Sequence, residues 1–141
     1  MSLVALDFGE RRIGVAASDP LGLTAQPLAV IERASLAEDI AKIGAIVQQR
    51  RAEKIVLGLP LNMNGTAGPQ AKRVRRFASR LARDLGLEIV LWDERLTTVE
   101  AESALIETGA SREHRRRRRD AVAAAVILQD YLEARRRSKD A

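Results

Sequence analysis

The stretch Leu3-Val4-Ala5-Leu6-Asp7-Phe8-Gly9-Glu10-Arg11-Arg12-Ile13-Gly14-Val15-Ala16-Ala17 decides the fold. Leu3–Phe8 and Ile13–Ala17 are short apolar runs, and Gly9-Glu10-Arg11-Arg12 between them carries a turn signal. The spacing predicts two strands of a hairpin or meander. The first run ends in an acid set against a glycine. A carboxylate at a strand end, beside a residue that lets backbone or ligand come close, suits a metal or phosphate site. An aspartate ahead of a turn is also an ordinary turn residue. The segment from Gly9 to Gly14 is not a dinucleotide fingerprint, because it leads into a strand rather than a helix.

Outward from this unit, Asp19-Pro20-Leu21-Gly22 is a turn, and Ala25–Ile31 reads as a third strand whose Pro27 places it at an edge or a bulge. Ser35-Leu36-Ala37-Glu38 is a capping box, followed by Leu36, Ile40, Ile43 and Val47 at helical spacing. Lys54–Leu59 is an unbroken apolar run, the signature of a buried parallel strand. Pro60–Pro69 is a loop. Pro69 opens a helix to Leu85 that Gly86 closes, with Val74, Phe77, Ala78, Leu81 and Leu85 on one stripe and Lys72, Arg73, Arg76, Arg80 and Arg83 on the other side. Glu88–Trp92 reads as another buried strand. Thr97-Thr98-Val99-Glu100 opens a helix to about Thr108, with Gly109 as its stop. Residues 111–119 read as a basic loop, and Asp120–Arg137 as a last helix ending in a tail from about residue 135. Antiparallel strands first, then strands alternating with helices, give an α/β fold: a mixed central sheet flanked by helices.

The 141 residues are the length of one domain, 1–141, with 46% hydrophobic and 30% charged residues, as in ordinary globular chains. Cysteine is absent and His114 is the only histidine, which excludes disulfides, thiolate nucleophiles and Cys- or His-rich metal sites. Leu3–Leu6 is too short for a signal-peptide core and no apolar run approaches a membrane span, so the expected location is cytoplasmic, away from membranes. The net charge is +5, and all of it lies beyond residue 71. Twenty of the 24 basic residues are arginine, the side chain shaped for bidentate phosphate contacts. A basic half points to a polyanion such as nucleic acid; a genome that favours arginine codons gives the same composition.

Three acids on three separate elements carry the chemical expectation. Asp7 ends the first strand. Asp93-Glu94-Arg95 follows the fifth strand, at the edge where α/β proteins place their sites. Alternation sends Asp93 and Glu94 to opposite faces, so only one of them shares a site with Asp7. Asp120 precedes an apolar helix thinned by Ala121, Ala123, Ala124 and Ala125; it reads either as an N-cap or as a carboxylate pushed toward the strand ends. Convergent carboxylates suit Mg²⁺ or Mn²⁺, hard cations that need neither His nor Cys. Two such ions about 4 Å apart clamp the attacking and leaving oxygens of a phosphodiester. Gly58-Leu59-Pro60-Leu61-Asn62-Met63-Asn64-Gly65-Thr66 lacks the spacing and lysine of a P-loop and reads as a turn.

Asp7-Phe8-Gly9-x-x-Arg12-Ile13-Gly14-Val15-Ala16, Gly58-Leu59-Pro60-Leu61-Asn62-Met63, Asp93-Glu94-Arg95-Leu96-Thr97-Thr98-Val99-Glu100-Ala101 and Asp120-x-x-Ala123-Ala124 occur in order, from about Leu3 to Leu132. Together they resemble the bacterial YqgF/RuvX family, whose members carry the names Holliday-junction resolvase and pre-16S rRNA nuclease. The resemblance implies a ribonuclease H-like fold and a metal-dependent endonuclease, with Asp7, Glu94 and Asp120 as catalytic residues and ligands of Mg²⁺ or Mn²⁺. The family pattern contains both Asp93 and Glu94, and of the two Glu94 is the expected ligand. Arg12, Asn62, Arg95 and Thr97 match motif positions that border such a site, and Arg73, Arg76, Arg80, Arg116 and Arg117 would hold the nucleic-acid backbone. Two departures are Asn64, where many members have Asp, and the five arginines before Asp120. The expected reaction is 5′-end processing of pre-16S rRNA. The alternatives are resolution of four-way DNA junctions, which requires a homodimer for two symmetric cuts, and a non-catalytic nucleic-acid-binding module. An actin-like ATPase needs two such domains, and 141 residues are too short for the pair, so it is not expected.

Overall fold

The computed structural model describes residues 2–96 and 112–140. Five strands form one sheet in the order β3-β2-β1-β4-β5: β1 (Leu3–Phe8), β2 (Arg12–Ser18), β3 (Ala25–Glu32), β4 (Lys54–Leu59) and β5 (Glu88–Asp93). The first three are antiparallel, whereas β1, β4 and β5 run parallel, joined by α1 (Leu36–Arg50) and α2 (Pro69–Leu85). A single 3-10 turn, Glu94–Leu96, follows β5, and a third helix, α3 (Arg112–Asp140), completes the described elements.

Alternation along the strands sorts the core into two layers. Val4, Leu6 and Phe8 of β1, with Ile13, Val15, Ile55 and Leu57, face α1 and α2 and bury Ile43, Val74, Phe77 and Leu81. Leu3, Ala5, Ala16 and Val56 face α3 and pack on Ala124, Ile127, Leu128 and Leu132. Small residues on the α3 side let that helix lie close to the sheet.

Most sequence boundaries hold. Ser35 caps α1, its Oγ accepting from Glu38 N at 3.1 Å. Pro69 starts α2 and Gly86 ends it in the left-handed region. Pro27 sits on the edge strand at a bulge: Val15 pairs with Ala29 and Ala16 with Pro27, so Leu28 has no opposite number. Four expectations are corrected. Arg12 belongs to β2 rather than to the connection. β5 lies at the end of the sheet and is half-buried, not buried. The basic stretch 112–119 is helical, so Asp120 lies inside α3 and is not its N-cap. The helix also continues through the expected tail to Asp140. Arginine is a good helix former and the run holds no glycine or proline; propensity, joined to a helix already anchored by Ala121–Leu132, outweighs charge repulsion within the run. The helix expected over 97–108, with its stop at Gly109, lies outside the described residues.

Two polar atoms in the α3 layer are buried without a partner: Trp92 Nε1 and Asp130 Oδ2. Burial pushes the Asp130 carboxyl above its ordinary value; Glu133 adds to this and Arg137 opposes it. The folded state therefore holds the Asp130 proton more tightly than the unfolded chain. Stability is gained as pH falls through the folded value, and the penalty is in full force above it. Asp130→Asn is expected to raise stability at pH 7 by about 1 kcal/mol, the cost of one unsatisfied buried group, and to flatten the pH dependence of the thermal midpoint below pH 6.

Candidate active site

Asp7 is the last but one residue of β1 and sits in register with Gly14 of β2. By alternation it shares the α3-facing side with Leu3 and Ala5. Gly14 is required there: a Cβ at this position would run into the Asp120 main-chain carbonyl. That contact sets the α3 backbone directly on β2, beside Asp7.

Glu94 reaches the same face from the other side of β1. Gly58 pairs with Trp92, and a Cβ at Gly58 would meet the Glu94 carboxylate and, at 2.7 Å, Ile127 Cδ1 of α3. Trp92 packs in the α3 layer, and Glu94, which opens a single 3-10 turn (Glu94–Leu96) after β5, is set on that side by its place over Gly58. Asp93 turns the other way. Its carboxylate is gripped by Arg95, with Nε at 3.0 Å and Nη2 at 2.7 Å from Oδ2. The hydrogen bonds and charge of Arg95 hold the Asp93 carboxyl below the usual carboxylate value. Asp7, Glu94 and Asp120 thus lie toward the α3 side of the sheet, around the bare glycines Gly14 and Gly58, and Asp93 does not join them.

The remaining expected residues divide. Arg12 Nε donates to Asp120 Oδ2 at 2.8 Å, a half-exposed ion pair. Arg95 also donates to Met63 O at 3.1 Å, tying the β4–α2 loop to β5. Asn62 Nδ2 donates to Thr66 Oγ1 at 3.0 Å and shapes that loop from within. Arg73 donates to Gln70 Oε1, and Arg76 is exposed on α2. Arg80 is turned onto Asp84 at 2.9 Å. Thr97 and the side chains of Arg116 and Arg117 lie outside the described residues. Asn64, one of the sequence departures, accepts from Thr66 N and Oγ1, a role an aspartate fills equally.

Two residues were not legible as site residues. Gln70 Nε2 donates to Phe8 O at 3.1 Å. Arg33 donates to Gly9 O and Glu10 O, both at 3.0 Å, and lies 4.3 Å from the centroid of the Phe8 ring. They hold the backbone on the far side of Asp7 from α2 and from the β3–α1 connection. Nothing in their sequence neighbourhood marks them, because each acts through main-chain carbonyls distant in the chain.

The profile of the family described as "RuvX: Holliday junction resolvase" matches residues 1–134. The chain belongs to the RuvX family. A relative from Clostridium tetani, named "Putative pre-16S rRNA nuclease", is 50% identical over 134 residues, covering 95% of this chain and 97% of its own. One of the same name from Symbiobacterium thermophilum is 52% identical over 135 residues, covering 96% and 94%. Among solved structures, Thermus thermophilus RuvC in complex with a Holliday junction superposes with a TM-score of 0.62 at 16% identity, over 98% of this chain and 97% of that one. The yeast mitochondrial Holliday junction resolvase Ydc2 gives 0.61 at 12%, over 98% and 80%. The RuvX chain therefore has the ribonuclease H-like fold of these resolvases.

In donor type the candidate residues fit a hard divalent cation: carboxylates from three elements, over Gly14 and Gly58, which leave the floor free of side chains. Among the described residues no three such side chains stand close enough together to hold one ion between them. The Asp120 carboxylate is turned to Arg12 instead.

Proposed function

We propose that this RuvX chain is a metal-dependent endonuclease that processes the 5′ end of pre-16S rRNA. The observation that carries the reading is that Asp7, Glu94 and Asp120 lie toward one face of the sheet, the α3 side, around the bare glycines Gly14 and Gly58. The names of the relatives support the substrate. Asp7, Glu94 and Asp120 would hold Mg²⁺ or Mn²⁺, which supplies an activated water and neutralises charge at the scissile phosphate.

The chain's own residues do the rest. Arg12 pairs with Asp120 and offsets part of the negative charge on that face. Arg95 holds Asp93 out of the site while fixing the loop that carries Asn62 and Met63. Arg73 and Arg76 offer cations to the backbone approaching along α2. Gln70 and Arg33 keep the Asp7 strand end from fraying. Residues 1–141 act as one nuclease domain, and a cytoplasmic location follows from an rRNA substrate. Among the described residues no helix is long and apolar enough to cross a membrane.

The second reading, junction resolution, is favoured by the fold shared with junction resolvases. It demands a homodimer, because two symmetric cuts need two sites. End-labelled 5′-extended rRNA precursor and four-way DNA junction, each given wild type or Asp7→Asn with Mg²⁺, Mn²⁺ or chelator, separate the two. Cuts confined to the RNA and dependent on Asp7 and metal are expected. Paired symmetric nicks in the junction would transfer the assignment to a resolvase. Binding of both substrates with no cutting under any condition would leave only a binding module.

A further inference from the structure

Met63 is the most exposed large apolar side chain among the described residues, at 90% of its full accessibility. A lone surface hydrophobe is ordinary; this one is not placed in an ordinary way. Its loop is fixed by several hydrogen bonds. Asn62 N donates to Thr66 O at 2.9 Å, Gly65 N to Asn62 O at 2.8 Å, and Asn64 Oδ1 accepts from Thr66 twice. Arg95 clamps Met63's own carbonyl. The backbone is held so that the one long apolar side chain stands out into solvent. The loop lies just past the end of β4 and Arg95 just past the end of β5, so Met63 stands at the carboxyl edge of the sheet, the edge at which Asp7 and Glu94 also lie. The α2 arginines begin ten residues further on.

We propose that Met63 enters the base stack of the bound nucleic acid next to the cleaved phosphate, unstacking one step. This rests on the nuclease reading. The chemistry suits the task. An unbranched thioether side chain is thin and adaptable, and apolar wedges of this kind open base steps for a few kcal/mol of unstacking. A phosphate presented at a ribonuclease H-like site must come down to the strand ends, and an opened step bends the backbone toward them.

The test uses the full chain and two probes, a 5′-extended rRNA precursor and a four-way DNA junction. Each carries 2-aminopurine at successive positions through the RNA processing site and the junction centre, with Ca²⁺ replacing Mg²⁺ to slow cutting. Wild type is expected to raise the fluorescence several-fold at one position. Met63→Ala and Met63→Gln should abolish the rise and weaken binding or cleavage about 10- to 100-fold, the value of burying one such side chain. Met63→Leu should restore most of both. Because the residue is exposed, all three should share the wild-type thermal midpoint.

A second readout needs no substitution. The chain has no cysteine and only Met1 besides Met63. Mild peroxide should therefore reproduce the Met63→Gln defect, a methionine sulfoxide reductase should reverse it, and the Met63→Leu variant should be resistant. An unchanged fluorescence response in Met63→Ala overturns the proposal. Asp7-dependent cutting without base unstacking sinks the wedge and spares the nuclease; unstacking without any cutting does the reverse.

Discussion

Glu94→Gln is expected to lower metal-dependent cleavage at least about a hundredfold, while Asp93→Asn lowers it less than about fivefold. The two acids are adjacent, carry the same charge and differ by one methylene. What separates them is where each carboxylate lies. Glu94 follows Trp92 on the α3 side and lies over Gly58; Asp93 faces the other way and is held by three hydrogen bonds from the Arg95 side chain. Losing the Asp93 pair removes an exposed ion pair, worth at most about 1 kcal/mol. Arg95 still keeps its bond to Met63 O. Single-turnover cleavage with saturating enzyme is the measurement, because it separates a loss in the bond-breaking step from weaker binding. Equal defects in both variants would place the two carboxylates in one functional unit and contradict the facing described above.

Gly14→Ala is expected to destabilise the protein by about 3 kcal/mol or more and to abolish activity at 37 °C. A new Cβ there strikes the carbonyl of Asp120 and crowds Ala121 N at 3.1 Å. Both are backbone atoms in the middle of a long helix, so neither rotates away. The helix must lift off the sheet, breaking its layer with Ala16, Ala124 and Leu128 and moving Asp120 away from Asp7. Gly58→Ala is the informative contrast. Its Cβ meets ends of side chains, Glu94 and Ile127, which can swing aside. Stability should fall less, with the activity loss dominated by displaced Glu94. Urea unfolding checks both: the midpoint shifts with an unchanged slope if only the native packing is affected.

Much of the frame was legible before any coordinates. The Ser35 cap, the Pro69 and Gly86 bracket around α2 and the Pro27 irregularity are local signals, and each is set by chemistry within a few residues. The basic run before Asp120 was not legible. Charge runs say where water is but not whether the backbone is helical, and the loop expected there is a helix. The half-exposure of β5 was hidden for a different reason: Ile89-Val90-Leu91-Trp92 is apolar enough for an inner strand, and only sheet order puts it at an end. In the site, alternation showed that Asp93 and Glu94 diverge but not which one meets Asp7. The pairing of Arg12 with Asp120 spans 108 positions and has no sequence signature at all. Gly14 and Gly58 were visible as glycines within strands, but what they make room for was not.

The irregular edge strand also bears on assembly. β3 carries a proline with no amide hydrogen, followed at once by the bulged Leu28, which bends the strand away from flat pairing. A second molecule approaching this side finds a broken template, so the sheet does not extend into a shared ten-stranded one by docking β3 on β3. A two-site assembly of this chain is then left with helix faces, side-chain surfaces or the opposite edge, β5, and the relative setting of its two candidate clefts depends on which of these meet.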